Sequence, residues 1–477
     1  MIIIKENIIK ERYKMEKYDI LVAGASTTGA WFAKKMAEQG HSVLVIEKQE
    51  AENVSREYDI FHMGKKEMER FDLDIPKQGD DDYGFVFTSG RSYSPYGNYS
   101  KQGKETVVGM HKHEFIMKMN RQAEAAGAKI IYGAAFSDFL KDEKGKIIGA
   151  KYITAEGEQQ VEAQLVADCT GIPSAARRKL PDNAYVENFA LTPADIFYVV
   201  LYYAKYTDQK INPLDLHGFF MQYKSWSAPS GDDHGAILGI GANYDYAYAE
   251  EIFKDVRKNV PWPKYTVDKV EKGMTPYHRT LYSFVEDGFI AMGDTAFLTK
   301  PTCGEGCTSS LYQAEIAVEV ISKLLKEGKP LTKENMWSIN KRYIQVQGKD
   351  FDSLRPMLIG VIGYSYKEAE YMFKHDIIFC QKILGGMGQD LKLTAADISK
   401  IVGGMLKGVA TGNIKMSNVK KTVKGLMQSG EVGKLYDEYP DIPAGYFAWK
   451  EKADALWEKI GKVADTCDPE ILRKISK

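Results

Sequence analysis

The segment Gly24-Ala-Ser-Thr-Thr-Gly29 puts small residues between an apolar run, Tyr18–Ala23, and a stretch where Ala30, Ala33, Met36 and Ala37 recur at helical spacing. At such a strand–helix turn the backbone can approach a pyrophosphate, and the unpaired amides of the helix start hold its charge. Ser26 occupies the position where the dinucleotide fingerprint ordinarily has its middle glycine, so a Cβ and a hydroxyl must be accommodated. Glu47 closes the next apolar run, Ser42–Glu47, where a carboxylate can bind the ribose hydroxyls of an adenosine. Strand, helix and acid in register imply a βαβ unit for a dinucleotide. The bland alternative is a tight turn followed by a solvated glutamate.

Two later segments narrow the dinucleotide. Gly288-Phe-Ile-Ala-Met-Gly-Asp-Thr-Ala296, followed by Pro301-Thr-Cys-Gly-Glu-Gly306, resembles the second FAD signature of glutathione-reductase-like flavoproteins. A carboxylate such as Asp294, costly to bury alone, would be satisfied by sugar hydroxyls. A glycine-rich helix start at Gly304 and Gly306 would favour the negative charge of a reduced flavin. Ala167-Asp-Cys-Thr-Gly-Ile-Pro-Ser-Ala-Ala-Arg177 resembles the Asp-x-x-Gly-x-x-Ser-x-x-Arg signature of FAD reductases and hydroxylases. Aromatic hydroxylases usually carry Asp-Gly where this chain has Thr170-Gly171. That departure argues against a resident NADPH-driven hydroxylase.

Together these motifs resemble the geranylgeranyl reductase family, which is related to electron-transfer-flavoprotein dehydrogenases and flavin halogenases. The resemblance spans roughly residues 17–330. It implies FAD as cofactor and reduction of an apolar, isoprenoid-like carbon–carbon double bond by hydride from the flavin. By position it implies Thr28 and Glu47 at the AMP half, with Gly24, Ser26 and Gly29 of the turn also cofactor-binding, and Phe136 beside the adenine through its backbone. Lys112 falls where the family usually has an Arg facing FAD. Asp294, Gly306 and Cys307 would hold the ribityl chain and ring, with Gly171 and Gly304 as further cofactor-binding residues. Trp226 and Pro229 match a family strand that lines the substrate cavity, although an aromatic strand is more often just core. Tyr223 and Cys303 are the candidate proton donors, with Cys303 and Cys307 otherwise small residues fitting a tight turn. Residues 55–64 lack the glycine-rich, cysteine-bearing segment the family often has beside the flavin. The rival classes are an FAD monooxygenase or halogenase, and an electron-relay subunit.

The elements that would position these residues follow from periodicity. Lys129–Tyr132 reads as a strand, Glu156-Gly157 as a hairpin turn, and 306–327 as a helix. Residues 50–110 read as loops with short elements, and 182–287 as a mixed sheet rich in aromatic and β-branched residues. Beyond 330 the chain reads as helical, with breaks at Gly385-Gly386 and Gly403-Gly404. The expected architecture is α/β. A Rossmann-type FAD-binding domain comprises 17–181 and 281–328, a mixed-sheet substrate domain 182–280, and a helical C-terminal region 329–477. Ile398, Ile401, Val402, Met405, Leu406 and Val409 form an amphipathic stretch, read first as an internal packing face and second as a membrane or partner surface.

Composition excludes several classes. Lys and Arg total 64 against 65 Asp and Glu, so nothing in the overall charge proposes a nucleic-acid partner. Five cysteines are too few and odd in number for a secreted disulfide scaffold. The eight histidines form no metal motif, and no metal is expected. No apolar run is long enough to span a membrane, and residues 1–16 read as a short extension without signal-peptide character. The expectation is a cytoplasmic enzyme for a small apolar substrate, with an external electron donor the sequence does not name and peripheral membrane contact as an open alternative.

Overall fold

In the computed structural model, Lys17–Ala23 lies at the centre of a sheet, paired in parallel with Val43–Ile46 and Gly157–Asp168. The residues described are 15–57, 59–208, 216–220, 224–231, 235–259, 263–302, 304–361, 363–378 and 393–461. The main path runs Val285–Glu286, Phe289–Ala291, Gly157–Asp168, Lys17–Ala23, Val43–Ile46, Lys129–Ile131, and Ala135–Lys141 joins it through Ile147–Thr154. Ile20, Leu21 and Val22 are fully buried, as a strand covered on both faces requires. Helix Thr27–Glu38 packs beside this strand and ends just before Gly40, whose φ of +85° stops it.

A second sheet runs Tyr265–Pro276, Ile196–Tyr206, Gly235–Ala242, Lys224–Pro229, Leu216–Phe220, Tyr83–Tyr93, Ser100–His111, Ile60–Gly64. The region expected as loops therefore supplies three strands, and they hydrogen-bond into this sheet, not into the first. Glycines concealed them. A Cβ on Gly84 would stand 2.8 Å from the Gly109 carbonyl oxygen, and one on Gly109 would stand 2.4 Å from Phe85 Cζ. These glycines mark close approach within a sheet, where the sequence suggested turns.

The C-terminal region is helical, as expected, and shares the main core. Val432, Leu435, Tyr436, Tyr446 and Trp449 are buried in the same cluster as the first sheet. Tyr439 Oη donates to the Tyr282 carbonyl (2.7 Å) and Tyr436 Oη to Asp352 (2.6 Å). Gly403-Gly404 does not break the chain; both glycines lie inside helix Ala395–Ala410. A Cβ on Gly404 would stand 2.8 Å from Ile377, so this glycine permits close packing. Gly385-Gly386 lies outside the described residues. Within Ala395–Ala410, Ile401 and Met405 are buried, whereas Leu406 is exposed.

Candidate flavin site

The fingerprint turn is closed by sterics. Gly24 has φ +107°, and a Cβ there would stand 2.3 Å from the Cys169 carbonyl oxygen; one on Gly29 would stand 1.9 Å from the Gly24 carbonyl oxygen. Ser26 caps helix Thr27–Glu38 without a side-chain cap bond, because its hydroxyl pairs with that of Ser55 (2.8 Å). No acidic side chain occupies the first turn, so its amides remain available to an anion.

Glu47 is buried at the end of its strand, and two amides fix its carboxylate: Ala25 N donates to Oε2 (2.8 Å) and Gln49 N to Oε1 (2.9 Å). Ala134 N returns to the Glu47 carbonyl (2.8 Å), which brings the strand Ala135–Lys141, and Phe136 with it, toward the acid. The Thr28 hydroxyl faces elsewhere. A Cβ on Gly293 would stand 2.7 Å from Thr28 Oγ1, so this side chain sits at the Gly293-Asp294 turn while its backbone belongs to the fingerprint helix. Asn120, which sequence reading missed, donates to the Ala25 carbonyl (3.0 Å) from helix Lys112–Ala125.

Asp168 organises the second motif. Fully buried, it accepts from Thr170 N (3.0 Å), Thr170 Oγ1 (2.7 Å), Ala176 N (3.1 Å) and Arg177 N (2.6 Å). Thr295 Oγ1 donates to the Gly171 carbonyl (3.1 Å) and so ties this turn to Asp294. Gly171 has φ +74°, and a Cβ there would meet only Pro173, at 4.0 Å, so the turn opens onto space. Arg177 is spent internally: it donates to the carbonyls of Glu187 and Phe189 and lies 4.9 Å over the Phe297 ring.

At the third motif, a Cβ on Gly306 would stand 3.1 Å from Asp294 Oδ1, which places the carboxylate beside the start of helix Cys307–Lys326. Burial pushes the Asp294 carboxyl up to about 6, and the Lys112 ammonium pulls against it. Lys112, at the first turn of its helix, also contacts Glu57 (3.4 Å). The Cys307 thiol is pushed up to about 12 by burial, with Lys112 opposing, so it is protonated at neutral pH. Tyr223 and Cys303 lie outside the described residues.

A family model described as an FAD binding domain matches residues 17–330 of this sequence. The chain belongs to that FAD-binding family. It is an FAD-dependent oxidoreductase, and FAD is its cofactor. The digeranylgeranylglycerophospholipid reductase of Sulfolobus acidocaldarius is 23% identical over 471 residues, covering 94% of this chain and 98% of that one. Among solved structures, a geranylgeranyl bacteriochlorophyll reductase-like protein from Thermoplasma acidophilum superposes with a TM-score of 0.64 at 18% identity, covering 86% of this chain and 100% of that one. A myxobacterial FAD-dependent chondrochloren halogenase gives 0.55 at 12% identity, covering 86% and 97%. Both share the fold.

The residues present fit FAD. The glycine cradle would be filled by any Cβ, and no described residue donates to the Asp294 carboxylate, which leaves it for hydroxyls. Asp294→Ala is expected to weaken FAD binding roughly 10- to 100-fold by leaving ribityl hydroxyls unpaired. Cys307→Ala should stay near the parent value. Flavin titration of the apoproteins measures both, and equal losses would misplace the flavin.

One titratable group near Glu305 gave no sequence signal. Glu105, on strand Ser100–His111, is pushed up to about 7 by burial and by Glu67 and Glu305, against Lys300 and Lys66. The folded chain therefore holds this proton more tightly than the unfolded chain, whose carboxyl titrates near 4.5. Ionisation at Glu105 costs stability as pH rises from about 4.5 to about 7. Glu105→Gln is expected to be more stable than the parent at pH 8 by roughly 1 kcal/mol, a figure kept small because a half-buried carboxyl is screened by water. Thermal unfolding of the FAD-loaded protein should show the gap closing toward acid pH. A constant gap would mean Glu105 titrates normally.

Proposed function

We propose that this chain reduces a carbon–carbon double bond of an apolar, isoprenoid-like substrate. FAD, when bound and reduced, supplies the hydride; a proton from the protein or from water completes the saturated product. Tyr223 and Cys303 remain the proposed donors. The chain's own task is to bind the alkene, exclude water and hold it at the flavin.

The observation that carries this reading is where an apolar face ends. Ile60, Phe85, Phe87, Val107, Leu201 and Ile237 cluster on the second sheet, with Trp226 packed against them. Trp226 lies over Gly239, where a Cβ would sit 2.1 Å from the indole, and Pro229 pairs with Ala236 at the same strand's end. Alternation puts Thr275 on the face of Val199 and Leu201. Glu105 Oε1 lies 3.2 Å from where a Cβ on Gly64 would stand, and Gly64 pairs with Val107. Thr275 meets Thr299 (Oγ1–Oγ1 3.2 Å), and Glu105 senses Glu305, so the apolar face abuts the flavin-side turn. An apolar chain entering there would gain about 25 cal/mol per Å² buried. Thr170 supports a reductase over a hydroxylase: its hydroxyl donates to Asp168 (2.7 Å) and accepts from Ala175 N (2.7 Å), leaving it engaged within its own turn.

Stopped-flow reoxidation of the dithionite-reduced protein tests the reading. Anaerobic mixing with unsaturated polyprenyl lipids is expected to restore the oxidised flavin spectrum and yield a product two hydrogens heavier per bond reduced. Reoxidation by oxygen with hydroxylated or halogenated product would assign a monooxygenase or halogenase. Reoxidation only by another redox protein would assign an electron relay.

A further inference from the structure

The C-terminal region carries a charge pattern the flavin site does not use. From Ile398 to Gly430 the chain has six lysines, at 400, 407, 415, 420, 421 and 424, and no Asp or Glu, within a protein of net charge −1. The run covers most of helix Ala395–Ala410 and the first two-thirds of helix Met416–Asp437. None of their side-chain ammonium groups pairs with a carboxylate among the described residues, although the Lys415 backbone N–H donates to Glu368 (2.8 Å). Leu406 is 46% exposed, Met416 44% and Met427 65%. On the second helix Met416, Lys420, Lys424 and Met427 recur at helical spacing; Lys420, Lys424 and Met427 line a groove with Val419 and Val423, whose far end holds Gln428 and the Glu431–Lys459 ion pair (3.0 Å).

We propose that this face docks on the surface of an anionic lipid bilayer. Unpaired lysines meet negative headgroups, while methionine and leucine side chains enter the boundary beneath them. The same run contains no Arg, Trp, Tyr or Phe. Protein interfaces concentrate their binding energy in Trp, Tyr and Arg and are depleted in Lys. Nucleic-acid surfaces add stacking aromatics and Arg forks. Lysine with flexible apolar side chains suits a fluid interface instead. No helix among the described residues is long and apolar enough to cross a membrane, so contact would be peripheral. The proposal goes beyond the reductase reading and is independent of it, since binding is measured without turnover.

The test is vesicle co-sedimentation of the FAD-loaded full chain. Phosphatidylcholine vesicles are compared with phosphatidylcholine–phosphatidylglycerol vesicles at low and high salt. Binding is expected only to anionic vesicles, and should weaken with salt. A Lys420→Gln, Lys421→Gln, Lys424→Gln triple variant should bind about 100-fold more weakly, at about fivefold per lysine. Met427→Gln should also bind more weakly, with flavin spectrum and melting temperature unchanged in both. Equal binding to neutral vesicles, no binding to either, or parental binding by the triple variant would overturn the proposal. So would a self-association broken by Met427→Gln in the absence of vesicle binding.

Discussion

Gly29→Ala is expected to purify colourless. Its Cβ would stand 1.9 Å from the Gly24 carbonyl oxygen and 3.3 Å from the Cys169 side chain. Relief requires helix Thr27–Glu38 to move away from strand Lys17–Ala23, and that carries the first-turn amides off the pyrophosphate. Overpacking of this kind costs roughly 1–3 kcal/mol or more. The displaced amides add to it, so FAD affinity should fall at least about 100-fold. Gly40→Ala is the control. It meets nothing within 4 Å and carries only the strain of its +85° φ, so it should lose about 1 kcal/mol of stability and keep its flavin. Flavin absorbance after gel filtration separates the two. A yellow Gly29→Ala with parental affinity would mean the helix sits farther from the strand than described.

Asp168→Ala should be the most destabilising carboxylate substitution in the FAD domain. Four donors from Thr170, Ala176 and Arg177 converge on its buried oxygens, with Thr295 Oγ1 a fifth at 3.4 Å. Removing the acceptor leaves buried amides unpaired, and the expected loss is about 3–5 kcal/mol, read from denaturant unfolding. Asp168→Asn should recover little, because an NH2 would face amide donors on one side. Parental stability in either variant would show that water can enter and satisfy this turn.

The chemistry was legible where it is local. Gly24, Gly29 and Glu47 belong to a single strand–helix–strand passage, and Gly293-Asp294 with the helix from Cys307 to another, so spacing alone located them. The second sheet was harder to read. Gly84 and Gly109 look like turn residues until the strand beside each is known. Gly404 looks like a helix break until Ile377 is packed against it. Glu105 shows nothing in its own neighbourhood, because the residues that raise its pKa, Glu67 and Glu305, are distant in the chain. Asn120 was hidden in the same way, its partner Ala25 lying in the fingerprint. Periodicity reports one element at a time, whereas these roles arise from contacts between elements.

The interleaving of the two sheets also constrains how the chain can be made. The C-terminal end of strand Gly157–Asp168, residues 166–168, waits for Phe289–Ala291 before its outer side is paired, and Tyr83–Tyr93 waits for Leu216–Phe220. At ribosomal rates of about 5–20 residues per second, those edges stay open for roughly 5–30 s on the nascent chain. During that interval they are templates for pairing with other chains. Asp294 and the helix from Cys307 emerge later than either strand, so free flavin cannot rescue the early stages. Overproduction should therefore favour aggregates unless translation is slowed or chaperones cover the open strands, and added riboflavin should improve yield only from the point at which the later half has been synthesised.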